Sequence, residues 1–360
     1  MNIAPVVRLG RVALPIVATL LFALPVVGTL MVAGDTLGYD FLAYRAAAER
    51  ILHGEPLYDL GFQAAGGFGL FYYPPMFAPV IVPFGWVSEA VAVWSWIGLL
   101  LASFAVGVVI LPVSRTVRWW IVLLAGVGLL FPYAVKLGQV GPILFLLFAI
   151  GWRWLDDSVR VGTATALGTA VKLQPAILLL WATMTRRWLA IAVAAAVLAI
   201  LAAVATLIAG VDAWSDFARL LGQVADPIST PKNATPGAIA YQAGVPAETS
   251  SVVQWVVTAF ALGAVVVAGR WATAEASYLV AVIASQLISP VLWDHYAVLL
   301  LLPVAYLCAR GWWWALAIPV VTALPFLGLG PPVLYPAAFG VALVAVLWSG
   351  YRSPTRREAS

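Results

Sequence analysis

Gly34-Asp35-Thr36-Leu37-Gly38-Tyr39-Asp40-Phe41-Leu42-Ala43-Tyr44-Arg45 follows directly on a 22-residue apolar run, residues 12–33. A helix that crosses a bilayer needs about 20 such residues. Here the run ends in two acids and an aromatic, partly charged stretch, so the chain reads as crossing a membrane and then placing polar groups at its boundary. Arg8 and Arg11 flank the run as they would in a signal peptide. The run is too long for that role and no A-x-A site closes it, so it is read as a retained first span.

The rest of the chain agrees. Of its 360 residues 64% are hydrophobic and 9% charged, with a mean hydropathy of +1.01. Soluble domains carry about 25% charged residues, and this chain has too few to cover a soluble surface. Seventeen Trp and twelve Tyr suit the aromatic belts that anchor spans at both interfaces. The net charge of +4 comes from arginines scattered singly or in pairs, with no basic stripe, which argues against nucleic acid as a partner. The one cysteine, Cys308, lies in an apolar run, so there is no disulfide framework. A Cys/His zinc set, a Walker A loop and a Rossmann fingerprint are all missing from the sequence. No cofactor is expected, and metal dependence stays open.

Apolar runs predict spans near 12–33, 88–111, 117–134, 138–154, 188–210, 252–269, 273–290, 295–309, 313–328 and 332–348. Residues 160–185 are divided by Lys172-Leu173-Gln174-Pro175 and read as two short spans or a hairpin dipping into the membrane. Irregular backbone at that depth survives only inside protein or along a wet cavity. The fold class is therefore an all-α polytopic membrane protein with about 10–12 transmembrane helices, one domain over 1–348 and a basic cytoplasmic tail over 349–360. With the N-terminus inside, Arg8, Arg11, Arg115, Arg118, Arg153, Arg160, Arg186, Arg187, Arg270, Arg310, Arg352, Arg356 and Arg357 fall on the cytoplasmic side. These are thirteen of the 19 basic residues, as the positive-inside rule requires. The loops 34–87 and 211–251 then lie outside. A full crossing by the Pro-rich stretch 72–86 would invert everything after it. Residues 41–52 read as an amphipathic helix lying on the membrane, with Phe41, Tyr44, Ala48, Ile51 and Leu52 on its apolar face and Gly54 as its stop. Residues 212–224 read as a second amphipathic helix and 226–246 as a loop.

Few groups are left to carry chemistry. Asp40 precedes an amphipathic run and suits either a helix cap or a base at the membrane surface. Asp35 suits the boundary of the first span. Asp294-His295 has almost no loop to solvate it, and a buried ionisable pair of this kind faces a cavity or a span end. Neighbours on a helix point about 100° apart, so the two are expected to serve different partners. Lys172, in an otherwise apolar stretch, either snorkels or holds a phosphate as a compact charge. Gln139 lies between Gly138 and Gly141, with Lys136 just before. Asp156-Asp157 reads as a solvated loop, and Asn233-Ala234-Thr235 matches a glycosylation sequon. A carboxylate, cations and an amide on one side of the membrane suit transfer of a group away from a phosphate: a base deprotonates a hydroxyl while cations take up the departing charge.

These pieces, in their order, resemble glycosyltransferase family 87, actinobacterial membrane enzymes with the GT-C fold. The resemblance spans roughly residues 12–348. It rests on Tyr39-Asp40-Phe41, Leu57-Tyr58, Tyr72-Tyr73-Pro74-Pro75, Gly138-Gln139, Lys172-Leu173-Gln174-Pro175, Ser289-Pro290 and Trp293-Asp294-His295-Tyr296. It implies an inverting transferase with a polyprenyl-phosphate sugar donor, most often polyprenyl-phosphate-mannose, and a membrane glycolipid or lipoglycan acceptor. Some members transfer arabinofuranose instead. Asp40 matches the family's acid in the first outer loop, the proposed general base. His295 matches the histidine of the late motif and would contact donor phosphate or acceptor. Lys172, Gln139, Lys136, Arg45, Asp294, Gln174, Asp35 and Tyr73 are the remaining candidates for binding donor phosphate or substrate. A lipid or sugar transporter is the rival reading, since broken spans and an intramembrane lysine are also transporter features; no inverted repeat accompanies them.

Overall fold

The computed structural model describes residues 4–61, 70–223 and 227–351. The tail arginines Arg352, Arg356 and Arg357 lie outside the described residues, as do the side chains of Arg8 and Arg11. Among the described residues there are seventeen α-helices and no strand, only an isolated bridge between Ala272 and Tyr351. The chain is an all-α membrane protein.

Four helices are long and apolar enough to cross a bilayer: Ala13–Met31, Glu89–Ile110, Trp188–Ala209 and Ala247–Trp271. Only 11% of the apolar window of Trp188–Ala209 is buried inside the protein, so most of that helix presents its side chains outward, as a lipid-facing helix does. The helices Arg115–Val127 and Leu130–Leu137 would make a fifth span but bend by 67° at their junction. The other expected spans are shorter helical pieces, such as Gly141–Arg153, Ala274–Leu287 and Leu334–Gly350. Four or five helices therefore qualify by length where ten to twelve spans were expected. An apolar run reports that a segment avoids water; it does not report whether lipid or neighbouring protein covers it. Pro75–Trp86 is also among the short pieces and is too short for the full crossing that would invert the topology.

Residues 158–184 form a hairpin. Ser158–Val171 runs away from Leu155, the backbone breaks at Lys172, and Ile177–Met184 returns. The return is secured by Arg187, whose guanidinium donates to the Leu155 carbonyl and pairs with Asp156 at 3.4 Å. The end where the hairpin opens is rich in arginine. There Arg310 pairs with Glu275 at 2.9 Å, Trp152 reaches Glu275, and Thr273 N–H donates to the Gly350 carbonyl. Asp157 caps Ser158–Val171 through Val159 and Arg160 N–H. Asp157 of the acidic pair is therefore structural, while Asp156 lies in the turn with its side chain fully exposed, as a solvated loop residue does.

The opposite end is built on an aromatic core. Phe41 stacks on Trp96 with ring centroids 5.0 Å apart, and Tyr44 sits edge-on to Trp96, Phe77 and Tyr73. The helix that carries Phe41 runs Tyr39–Leu52 and buries Phe41, Ala43, Tyr44, Ala47 and Ala48. It packs on Pro75–Trp86 and Glu89–Ile110, so its apolar face is covered by protein, while Leu52 stays exposed. The second amphipathic helix is Asp212–Gln223, with Phe217 stacked on Tyr58. The expected loop over 226–246 instead carries the helix Pro236–Gln242, capped by Thr235.

Candidate active site

Asp40 lies in the first turn of its helix. The N-cap is Gly38, at φ +71°, and no side chain caps that end. The cap reading of Asp40 therefore fails, since a residue already inside the helix cannot cap it. Its carboxylate goes elsewhere: Gln139 Nε2 donates to Asp40 Oδ2 at 2.5 Å. Two glycines make this contact possible. Gly38 N–H donates to the Lys136 carbonyl at 2.7 Å, pinning the helix start to the turn that carries Gln139. Gly138, at φ +77°, lies so close to Phe41 that a Cβ there would sit 2.6 Å from the Phe41 Cβ. Trp96 Nε1–H closes the turn by donating to the Gly138 carbonyl at 2.7 Å.

Behind Gln139 runs a buried phenol chain. Tyr73 donates toward Gln139 Oε1 at 3.4 Å, the Tyr44 and Tyr73 hydroxyls are 2.5 Å apart, and Tyr58 donates to the Tyr73 carbonyl at 2.7 Å. Across from this chain stands the hairpin tip. Lys172 Nζ donates to the Tyr296 hydroxyl at 2.9 Å and lies 4.1 Å from the Tyr296 ring centroid and 5.7 Å from that of Tyr73. Gln174 Nε2 donates to Ser289 Oγ at 2.5 Å, which ties the tip to the Ser289–Pro290 turn.

Asp294 and His295 were expected to serve different partners, yet they serve each other. Asp294 Oδ1 accepts from the His295 backbone N–H at 2.7 Å and lies 3.3 Å from His295 Nδ1. An Nδ1–H held by the carboxylate leaves Nε2 as the working nitrogen. That atom is buried and has no hydrogen-bond partner among the described residues. The Tyr335 hydroxyl lies 2.6 and 2.7 Å from the Trp293 and Asp294 carbonyls and holds the turn.

Electrostatics place these groups in one neighbourhood. Burial raises the Asp40 carboxyl above the ordinary carboxylate value and is the largest influence. His295, the Gln139 hydrogen bond and Lys172 pull it back, and Asp294 pushes it up again. Such a carboxylate can hold a proton more readily than one in water, as a general base requires. The cluster is recessed. Glu89, at the start of its helix, pairs with Arg45, and Trp96 at the Gly138 level is two turns further in, about 10 Å. The helices Gly141–Arg153 and Ser158–Val171 set the remaining distance, about 20 Å to the arginine-rich end.

Not every candidate joins the cluster. Arg45 pairs with Glu49 at 2.8 Å and donates to the Val87 carbonyl at 3.2 Å. Asp35 is exposed in the turn Gly34–Thr36. Lys136 contributes its backbone carbonyl, while its ammonium lies 5.7 Å from the Tyr133 ring centroid. The structure adds Tyr296, Tyr44 and Asn233. Asn233 is 1% exposed. It donates to the Pro227 and Pro290 carbonyls and accepts from Thr235 and Leu292 N–H. The sequon asparagine is thus a buried staple between two loops rather than a glycan acceptor. A polar residue in a Pro- and Thr-rich segment gave no sign of this, because its partners lie about 60 residues away in the Pro290 turn.

Comparison with known proteins follows the same outline. The chain is 28% identical over 326 residues, 78% of its length and 75% of the relative's, to a protein of Mycobacterium tuberculosis (strain ATCC 25618 / H37Rv) named polyprenol-phosphate-mannose-dependent alpha-(1-2)-phosphatidylinositol mannoside mannosyltransferase. No solved structure matches. The sequence model of glycosyltransferase family 87 matches residues 71–292, a stretch that includes Tyr73, Gln139, Lys172 and Gln174 and stops just short of Asp294. A match over more than half of an all-helical membrane chain identifies it: the protein belongs to glycosyltransferase family 87, membrane glycosyltransferases of the GT-C class.

Proposed function

We propose that the protein is an inverting mannosyltransferase, moving a mannosyl group from a polyprenyl-phosphate donor to a hydroxyl of an envelope glycolipid of the phosphatidylinositol mannoside kind. The observation that carries this reading is the Asp40 carboxylate, held by Gln139 and within electrostatic reach of His295 and Lys172. Asp40 takes the proton of the acceptor hydroxyl. The freed oxygen attacks the anomeric carbon while the carbon–oxygen bond to phosphate breaks. The electron pair leaves with polyprenyl phosphate, whose charge meets the Lys172 ammonium, while His295 Nε2 contacts donor phosphate or acceptor. A single displacement inverts the anomeric centre and needs one base. Lys172 supplies a cationic partner for the leaving phosphate, so the proposed step needs no metal, and activity is expected to persist in EDTA.

Two further points support this reading. The named relative uses a polyprenol-phosphate-mannose donor by its name, and such a lipid can enter sideways from the bilayer. The positive-inside rule favours the arginine-rich end inside, which supports an Asp40 site that faces the outer side and termini that lie in the cytoplasm.

The test is an assay on membranes with radiolabelled polyprenyl-phosphate-mannose and a panel of glycolipid acceptors. Wild-type protein should label a phosphatidylinositol mannoside, and folded Asp40→Asn should not. Retention of most of the activity by purified Asp40→Asn would remove the base assignment. Labelling from polyprenyl-phosphate-arabinose alone would replace mannose as the sugar.

A further inference from the structure

The arginine-rich end of the bundle holds a polar recess that sugar transfer does not use. A cavity of about 350 Å³ opens between the turn 184–187 and the turn 269–274, lined by Thr185, Arg186, Arg187, Ala272 and Ser277 among others. The helix Ser158–Val171 separates this end from Lys172 by about 20 Å, so a group bound here does not touch Asp40.

The two arginines differ. Arg187 is committed: its guanidinium holds the Leu155 carbonyl and Asp156 and lies 5.2 Å from the Trp181 ring centroid. Arg186 is exposed, and its side chain makes no hydrogen bond or ion pair among the described residues, while its backbone N–H donates to the Thr183 carbonyl. Its backbone sits at φ +58°, a left-handed conformation that costs a branched or long side chain about 1–2 kcal/mol and suits glycine or asparagine. A long cation kept at such a position, aimed into a cavity, is a feature the turn itself does not require.

The surroundings favour an anion. Trp188–Ala209 starts at the cavity with no side-chain cap, so its first N–H groups and dipole end point there. The nearby acids are already paired, Asp156 with Arg187 and Glu275 with Arg310. Trp188 and Trp271, 60% and 38% exposed, adjoin the lining residues Arg187 and Ala272 in sequence, and exposed tryptophans of this kind suit headgroup depth. Guanidinium groups match phosphate oxygens in geometry and charge.

We propose that this cavity binds the phosphate of an anionic membrane phospholipid through Arg186, with Arg187 holding the turn that presents it. The test is native mass spectrometry of the purified protein in detergent, incubated with phosphatidylglycerol or with phosphatidylcholine. Wild-type protein should retain phosphatidylglycerol in preference to phosphatidylcholine, and Arg186→Asn should lower that retention about tenfold. Arg186→Lys, which keeps the charge, should restore part of it. Asparagine suits the backbone, so an unchanged or raised melting temperature for Arg186→Asn identifies the loss as one of binding. Equal retention by wild type and Arg186→Asn, or of the two lipids by wild type, overturns the proposal. Binding of inorganic phosphate with no retained phosphatidylglycerol also overturns it, in favour of a soluble anion.

Discussion

Gln139 Nε2 donates to Asp40 Oδ2 across 2.5 Å, and the Tyr73 hydroxyl on Gln139 Oε1 fixes which end of the amide faces the carboxylate. A residue with this placement acts on the reaction through Asp40, by orienting it and favouring its ionised form.

Gln139→Leu should therefore change the pH dependence as well as the rate. Asp40 must be deprotonated to act as base, so activity falls as pH drops through its pKa. Burial already places that pKa above the ordinary carboxylate range, and the Gln139 bond lowers it. Without the bond the acid limb of the kcat/KM profile should move to higher pH. A profile that keeps its shape while only its height falls would give Gln139 a purely structural role.

His295→Ala should act on the donor. Nε2 is buried and unpartnered among the described residues, and Asp294 orients the ring from Nδ1. Loss of the imidazole should raise the KM for the polyprenyl-phosphate donor about tenfold or more, by the worth of a charge-assisted hydrogen bond. Unchanged donor kinetics would remove the phosphate role.

Lys172→Arg should rescue poorly. The ammonium fits against both the Tyr296 hydroxyl and its ring, where a compact charge is needed and a planar guanidinium is not equivalent. Arginine and methionine at this position should both reduce kcat/KM. Full activity in the arginine variant would show that charge alone suffices.

Gly138→Ala should damage stability and activity together. The substitution strains a left-handed backbone by about 1–2 kcal/mol and drives a methyl against Phe41, one residue from Asp40. A lower melting temperature in detergent and a lower kcat are expected. Preserved kcat in a destabilised protein would separate the turn from the carboxylate.

Asn233→Ala leaves the Thr235 and Leu292 N–H groups and the Pro290 carbonyl without this partner, while the Pro227 carbonyl keeps the Thr230 N–H. The cost should be at least about 3 kcal/mol, since each of the three buried unsatisfied groups costs about 1–3 kcal/mol. Thermal unfolding measures this directly. Because Asn233 is buried, the native protein should carry no glycan there when made in a glycosylating host.

Membrane class, the broken segment at Lys172 and Asp40 as a candidate base could all be read from the chain as text. Each is a local property: hydropathy, a polar group in an apolar run, an acid where water meets lipid. Span count and helix role could not be read that way. Gly141–Arg153 is apolar throughout yet buries most of its residues in the protein, and Tyr39–Leu52 reads as a surface helix yet packs its apolar face against neighbouring helices. Asp40 kept its place as the central carboxylate and lost its place as a cap. Arg45 and Asp35, close to it in sequence, turned out to be bonded or exposed elsewhere.

Composition and residue order thus settle that this chain lives in a membrane and that it has few ionisable groups to work with. Which of those groups meet depends on folding. Asp40 and Gln139 are 99 positions apart, and Lys172 and Tyr296 are 124 apart. A contact between such distant residues follows from how helices pack and where glycine lets two backbones approach, and no local pattern encodes it.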